Sequence, residues 1–142
     1  KLEKTAHSPH YEYHKFDPAD PKSHRRSVYR FIARSQPDPF MTTLDCADSS
    51  QSTPKRDETL TALQALSLLN NKFTLHMANR FASRIEKESK TLRGRIRRAH
   101  QLTTSRPPKP EEMVALEDYA QKHGLPNLCR VLFNLSEFTY LD

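Results

Sequence analysis

His7, His10 and His14 stand three and four residues apart, a spacing at which imidazoles on one helical face could share a metal ion. Pro9 interrupts the set and no cysteine stands nearby to complete it. The expectation is therefore a solvated run that holds no metal. His76, His100 and His123 fall on three separate helical stretches and are expected as surface or capping residues. Asp45, Cys46 and Asp48 lie close to Lys55, Arg56, Asp57 and Glu58. Paired carboxylates suit general acid–base work and a cysteine suits nucleophilic attack, but each needs a base within hydrogen-bond reach. The structural alternative is an ion pair between Asp45 and Arg26, Arg30 or Arg56 that fixes the loop, since charge networks outside active sites are common. Neither G-x-S-x-G nor H-E-x-x-H occurs, and no catalytic residue is assigned.

A second kind of chemistry belongs to the cations. Residues 80–106 hold nine Lys/Arg and two Glu, a net charge of +7, whereas residues 107–142 carry −3. Such a segment can attract phosphates or an acidic polymer, and Arg93, Arg95, Arg97 and Arg98 are its candidate contacts. The same pattern also describes the wet side of a helix. Phe81 is the only aromatic in the segment, so the interleaved rings that stack bases are missing and nucleic acid is disfavoured as a partner.

These residues must be held by helices. Two glycines, Gly94 and Gly124, are too few for a many-hairpin β fold or for the usual nucleotide-binding loops, which need positive φ or close approach to phosphate. No proline stands between Pro54 and Pro107, which leaves room for long helices. Asp57 is a plausible N-cap. Leu60, Leu63, Leu66 and Leu69, with Ala62, Ala65 and Leu68 on other faces, predict a buried central helix. Asn70-Asn71 predicts a break. Phe73, Met77, Phe81 and Ile85 form the apolar stripe of the next helix, and Leu92, Ile96, Ala99 and Leu102 that of a basic helix over 90–104. Pro110, Glu111 and Glu112 open a further helix that Gly124 closes, its inner face being Met113, Leu116, Tyr119 and Ala120. A last helix covers 127–133.

The resulting fold class is all-α, an irregular bundle of about five helices. Residues 1–24 form an extended polar lead-in, with Asp17-Pro18 and Asp20-Pro21 as turn initiators, and residues 25–142 form the helical part. Residues 27–34 read as a strand, with a two-turn helix as the near alternative, ended by Pro37 and Pro39, and 41–54 reads as irregular. No run approaches 18 apolar residues, so no membrane span is expected. Apolar residues make up 35% of the 142, against roughly 45–50% in an ordinary domain. That thin supply, with a start at Lys1, suggests a piece of a larger protein. Cys46 and Cys129 make neither a zinc site nor a disulfide framework, and whether they are bridged stays open. The apolar setting of Cys129 suits an inert buried thiol. No C-x-x-C-H occurs, so no cofactor is expected in this segment.

Several strings are distinctive in order: RRSVYRF from Arg25, PDPFMTTLDC from Pro37, PKRDET from Pro54, ALQALSLLNN from Ala62, and LFNLSEFTYLD from Leu132. Together they resemble the C-terminal part of planctomycete-specific domain one, a domain of unknown function in large secreted planctomycete proteins. The resemblance runs from about Pro21 to Asp142, with residues 1–20 less clearly matched.

The resemblance implies an exported protein of the periplasm or cell envelope whose other domains are this segment's partners. One of those domains is often a cytochrome c type that would carry haem, and polysaccharide use is implied for the whole. No catalytic residues come with the resemblance. The family's Arg/Asp-rich segment corresponds to Arg25, Arg26, Arg30, Asp45 and Arg56, expected to matter for folding first and ligand contact second. The reading is a non-catalytic helical C-terminal module. The alternatives are part of a hydrolase-like active site using Asp45 and Asp48, or a polyanion-binding module through residues 80–106.

Overall fold

Asn71 divides the helical stretch that the leucines begin. In the computed structural model, which describes residues 2–4, 9–33, 36–46 and 61–139, helix α2 (Ala62–Asn70) stops there and α3 (Lys72–Glu88) starts. The Asn71 side chain accepts from the Phe73 N–H at 2.8 Å, satisfying one of the donors a helix start leaves unpaired. The expected break is therefore a cap. Thr91 does the same for α4 (Leu92–Thr104), accepting from Gly94 N–H at 3.2 Å. Helix α5 (Pro110–His123) begins with Pro110 and is closed by Gly124, at φ +83°, whose N–H reaches the Ala120 carbonyl at 2.8 Å. Gly124 also begins α6 (Leu125–Leu132), and α7 (Ser136–Thr139) follows.

The chain divides into two compact units, Lys1–Ser67 and Leu68–Asp142. The core of the second is Ala78, Ala82, Ile85, Ile96, Ala99, Met113, Ala120, Leu125, Leu128, Cys129 and Leu132, with Phe81, Leu116, Tyr119 and Phe133 packed against it. Burying a side chain such as Ile85, Ile96, Leu128 or Leu132 completely is favourable by roughly 1.5–3 kcal/mol each. The expected inner face of α5 is the one observed. On α3 the buried residues are Thr74, Ala78, Ala82 and Ile85, so of the predicted stripe only Ile85 is fully inside. Helix α3 packs chiefly against α6, and the small residues of its buried face permit close approach of a neighbouring helix.

The leucine-rich helix is not the buried rod that its composition predicts. Leu63 and Leu66 are 64% and 55% exposed, and the one buried residue of α2 is Gln64; Leu60 lies outside the described residues. The reason is geometric. A three-residue step turns about 300° around a helix of 3.6 residues per turn, so leucines so spaced drift around the cylinder and no single face collects them. The end of α2 is held by polar contacts: Arg130 donates from Nε to the Leu69 carbonyl and from Nη2 to Asn70 Oδ1, each at 2.6 Å.

In the first unit, strands β1 (Leu2–Lys4) and β2 (Pro9–Tyr11) pair antiparallel, with Leu2 opposite Tyr11 and Lys4 opposite Pro9. The lead-in is thus a small ladder followed by single 3-10 turns at Tyr13–Lys15 and Pro21–Ser23. Asp17 and Asp20 initiate turns as expected, accepting from the N–H groups of Ala19 and Lys22 at 2.8 and 2.9 Å. Residues Ser27–Tyr29 form a 3-10 turn, neither of the two forms anticipated. Pro39 starts a helix rather than ending an element: α1 (Pro39–Thr43) is N-capped by Asp38, which accepts from Phe40 N–H at 3.0 Å. With α1 and α7, the described residues contain seven α-helices instead of about five, and the fold is mainly α. None of their helices is long and apolar enough to cross a membrane.

Candidate functional site

The most elaborate polar cluster forms where α4 ends and α5 begins. Ser105 takes a left-handed conformation at φ 61°, turning the chain so that Arg106 precedes two prolines. Arg106 Nη1 and Nη2 each reach a Glu112 carboxylate oxygen at 2.8 Å. Its Nε and Nη2 meet the Glu137 carboxylate of α7 at 2.9 and 2.7 Å. Such two-pronged pairs are the stronger kind of ion pair. Glu112 also accepts from Lys109 N–H at 2.7 Å, the backward half of a capping box.

His100 lies beneath, 2% exposed. Its Nδ1 is 3.1 Å from the Arg106 carbonyl and 3.0 Å from Thr104 Oγ1. A carbonyl only accepts, so Nδ1 carries the hydrogen, and Nε2 stands 3.8 Å from Glu112 Oε2. Thr104 Oγ1 lies 2.8 Å from the His100 carbonyl.

The electrostatics follow from the geometry. The Arg106 guanidinium, with the Lys109 N–H, holds the Glu112 carboxyl down at about 2. Arg106 lowers Glu137 as well and is itself raised by the two carboxylates. Both glutamates are therefore ionised at neutral pH and cannot act as general acids there, and both oxygens of Glu112 are engaged by donors. The arrangement fastens four pieces of chain: the end of α4, the 105–109 connection, the first turn of α5, and α7.

Arg25 and Arg26 are exposed. Arg30 pairs with Asp38 at 2.8 Å and lies over the Phe16 ring, 4.6 Å from its centroid, so it is not the partner of Asp45. Asp45, at φ 53°, accepts from Gln64 Nε2 at 2.9 Å. Arg56, Asp48, Lys55, Asp57 and Glu58 lie outside the described residues, as does His7. The four arginines of α4 differ in how they are engaged. Arg93 and Arg97 are exposed, whereas Arg95 donates to the Ser89 carbonyl at 2.9 Å and Arg98 to Glu88 at 2.7 Å. Glu88 also holds Arg84 at 2.7 Å, and the two arginines depress its carboxyl.

Cys46 and Cys129 are free thiols, the first exposed and the second buried; burial pushes the Cys129 thiol up to about 12. That is the inert thiol its setting predicted. His123 is exposed and tilts against Tyr119, 4.5 Å between ring centroids, but His100 is a core residue and not a surface one. Among the described residues no group of three or more His, Cys, Asp or Glu is placed to hold a metal.

In sequence, Arg106 reads as the end of a basic run and Glu112 as a partner of the helix dipole. An arginine just before a proline-started helix with glutamate at its third position is a legible signal for their pairing. Glu137, 31 residues from Arg106, leaves none.

A helical domain whose best-built polar cluster is a tie between helices is the class that fold and cluster define. The sequence matches the family described as PSD1, protein of unknown function (DUF1553), over residues 1–120, and the chain belongs to this planctomycete-associated family. The match takes in the lead-in, which the motif strings link less clearly to the family, and stops short of α6. No curated protein matches the chain. No solved structure matches it either.

Proposed function

We propose that the chain is a non-catalytic helical C-terminal module of a larger exported polypeptide, working by packing and docking rather than by turnover. The observation that carries this reading is the closure of the Arg106 cluster: its carboxylates and imidazole face one another and the backbone. Carboxylates held ionised by internal donors tie chain together and are poorly placed to give a substrate a proton. Membership of the planctomycete-associated family supports the exported setting. A cytochrome c domain and polysaccharide use elsewhere in the same polypeptide belong to this proposal, and those other domains are the partners.

In the full-length protein, Arg106→Lys and Glu112→Gln are expected to lower the melting temperature while any turnover of a glycan panel, per folded molecule, stays at the wild-type level. Turnover abolished at an unchanged melting temperature would contradict the reading.

A second reading, polyanion binding, draws on Arg80, Lys87, Arg93 and Arg97, which are exposed and make no ion pair among the described residues. It expects retention on heparin that charge reversal of Arg93 and Arg97 removes, and that reversal of Arg95 and Arg98, already engaged, changes less.

A further inference from the structure

The segment after Arg26 presents its apolar side chains outward. Val28 and Tyr29 are each 71% exposed, Phe31 47% and Ile32 54%. Apolar neighbours on both sides of Arg30 thus stand in solvent, so no face of this turn is packed away.

Its base is nevertheless fixed. Ala33 is buried, and its N–H donates to Tyr13 Oη at 3.1 Å, with Tyr13 itself buried. Arg30, between the two exposed pairs, turns inward to Asp38 at 2.8 Å and to the Phe16 ring. Two further arginines, Arg25 and Arg26, precede the turn, exposed and without an ion pair among the described residues. Four greasy side chains are thus held out on an anchored base beside two solvent-facing cations.

We propose that this exposed apolar turn is a membrane-surface anchor: Val28, Tyr29, Phe31 and Ile32 enter the outer few ångströms of an anionic bilayer, and Arg25 and Arg26 bind its headgroups. Interfacial binding grows with buried apolar area and with attraction to anionic lipid, and tyrosine suits the headgroup level. A stable protein interface takes about 800 Å² and 20–30 residues per partner, more than so short a stretch offers. A bilayer deforms around a small protrusion and makes no such demand.

The sequence contains no tryptophan, so Tyr29→Trp gives a single reporter. The full chain is mixed with vesicles of phosphatidylcholine alone or with added phosphatidylglycerol and floated on a density step. The expected results are flotation with the anionic vesicles, a blue-shifted emission of the introduced indole on binding, and weaker binding at higher salt. Val28→Ser with Ile32→Ser, and separately Arg25→Glu with Arg26→Glu, are each expected to reduce binding about tenfold or more, with wild-type helical circular dichroism confirming the fold. Absence of flotation, equal flotation with neutral vesicles, or anionic binding untouched by the serine pair would each overturn the proposal. So would an emission that shifts only when a protein partner is added.

Discussion

Arg106 donates to two carboxylates at once, and replacing it tests what that geometry is worth. Arg106→Lys keeps the charge but offers no planar fork, so the melting temperature should fall, and Glu137→Gln should cost less because α7 is the most peripheral element tied. The sign of the acid response follows from Glu112. Its carboxyl lies near 2 in the fold against 4.5 in the unfolded chain, so its contribution is complete above about 4.5 and disappears as pH falls toward 2. Urea midpoints measured across that window should drop more steeply for the wild type than for Glu112→Gln. Equal slopes would show that the ion pair adds nothing to stability. In the core, Leu128→Ala removes a side chain with no exposure and should cost about 2–5 kcal/mol in chemical denaturation; a loss below about 1 kcal/mol would mean that the site collapses freely around the cavity.

Among the elements, α4 offers a test of its own start. A Cβ at Gly94 would crowd Ser89 Oγ and come 2.8 Å from Thr91 Oγ1, the atom that caps the helix. Alanine is favoured over glycine in a helix by about 1 kcal/mol, but displacing a cap costs about 0.5–2 kcal/mol. Gly94→Ala should therefore leave the urea midpoint at or below wild type, and adding Ser89→Ala should raise it again; a clear gain from Gly94→Ala alone would refute the crowding. The elements themselves were legible where capping chemistry marks them: Asn71, Pro110 and Gly124 end or begin helices as their side chains and backbone freedom require. The buried face of α5 was legible from its periodicity. Asp38-Pro39 carries the same kind of capping signal for α1, but the pair of prolines there reads more simply as an ending. What failed was the inference from greasiness to burial. Leu63 and Leu66 spiral around α2, while Ala78 and Ala82 hold the inner face of α3, where short side chains let a neighbouring helix come close. Residue counts do not encode that choice; the partner helix does.

At the scale of the whole molecule, the polar cluster was legible only in its local half: Arg106 and Glu112 lie six residues apart, whereas Glu137 joins them from 31 residues away, and nothing local marks His100 as a buried residue. The second compact unit, Leu68–Asp142, contains the apolar core, the Arg106 clamp and the Arg130 contacts to the end of α2. The most direct measurement is thermal and urea denaturation of residues 68–142 alone, followed by helical circular dichroism at pH 7 and pH 3, in wild type and Glu112→Gln. One cooperative transition is expected at pH 7, with a midpoint that falls at pH 3 and a smaller fall in the variant. A gradual, non-cooperative loss of helix at pH 7, or an identical acid loss with and without Glu112, would contradict the claim that this cluster holds the helices together.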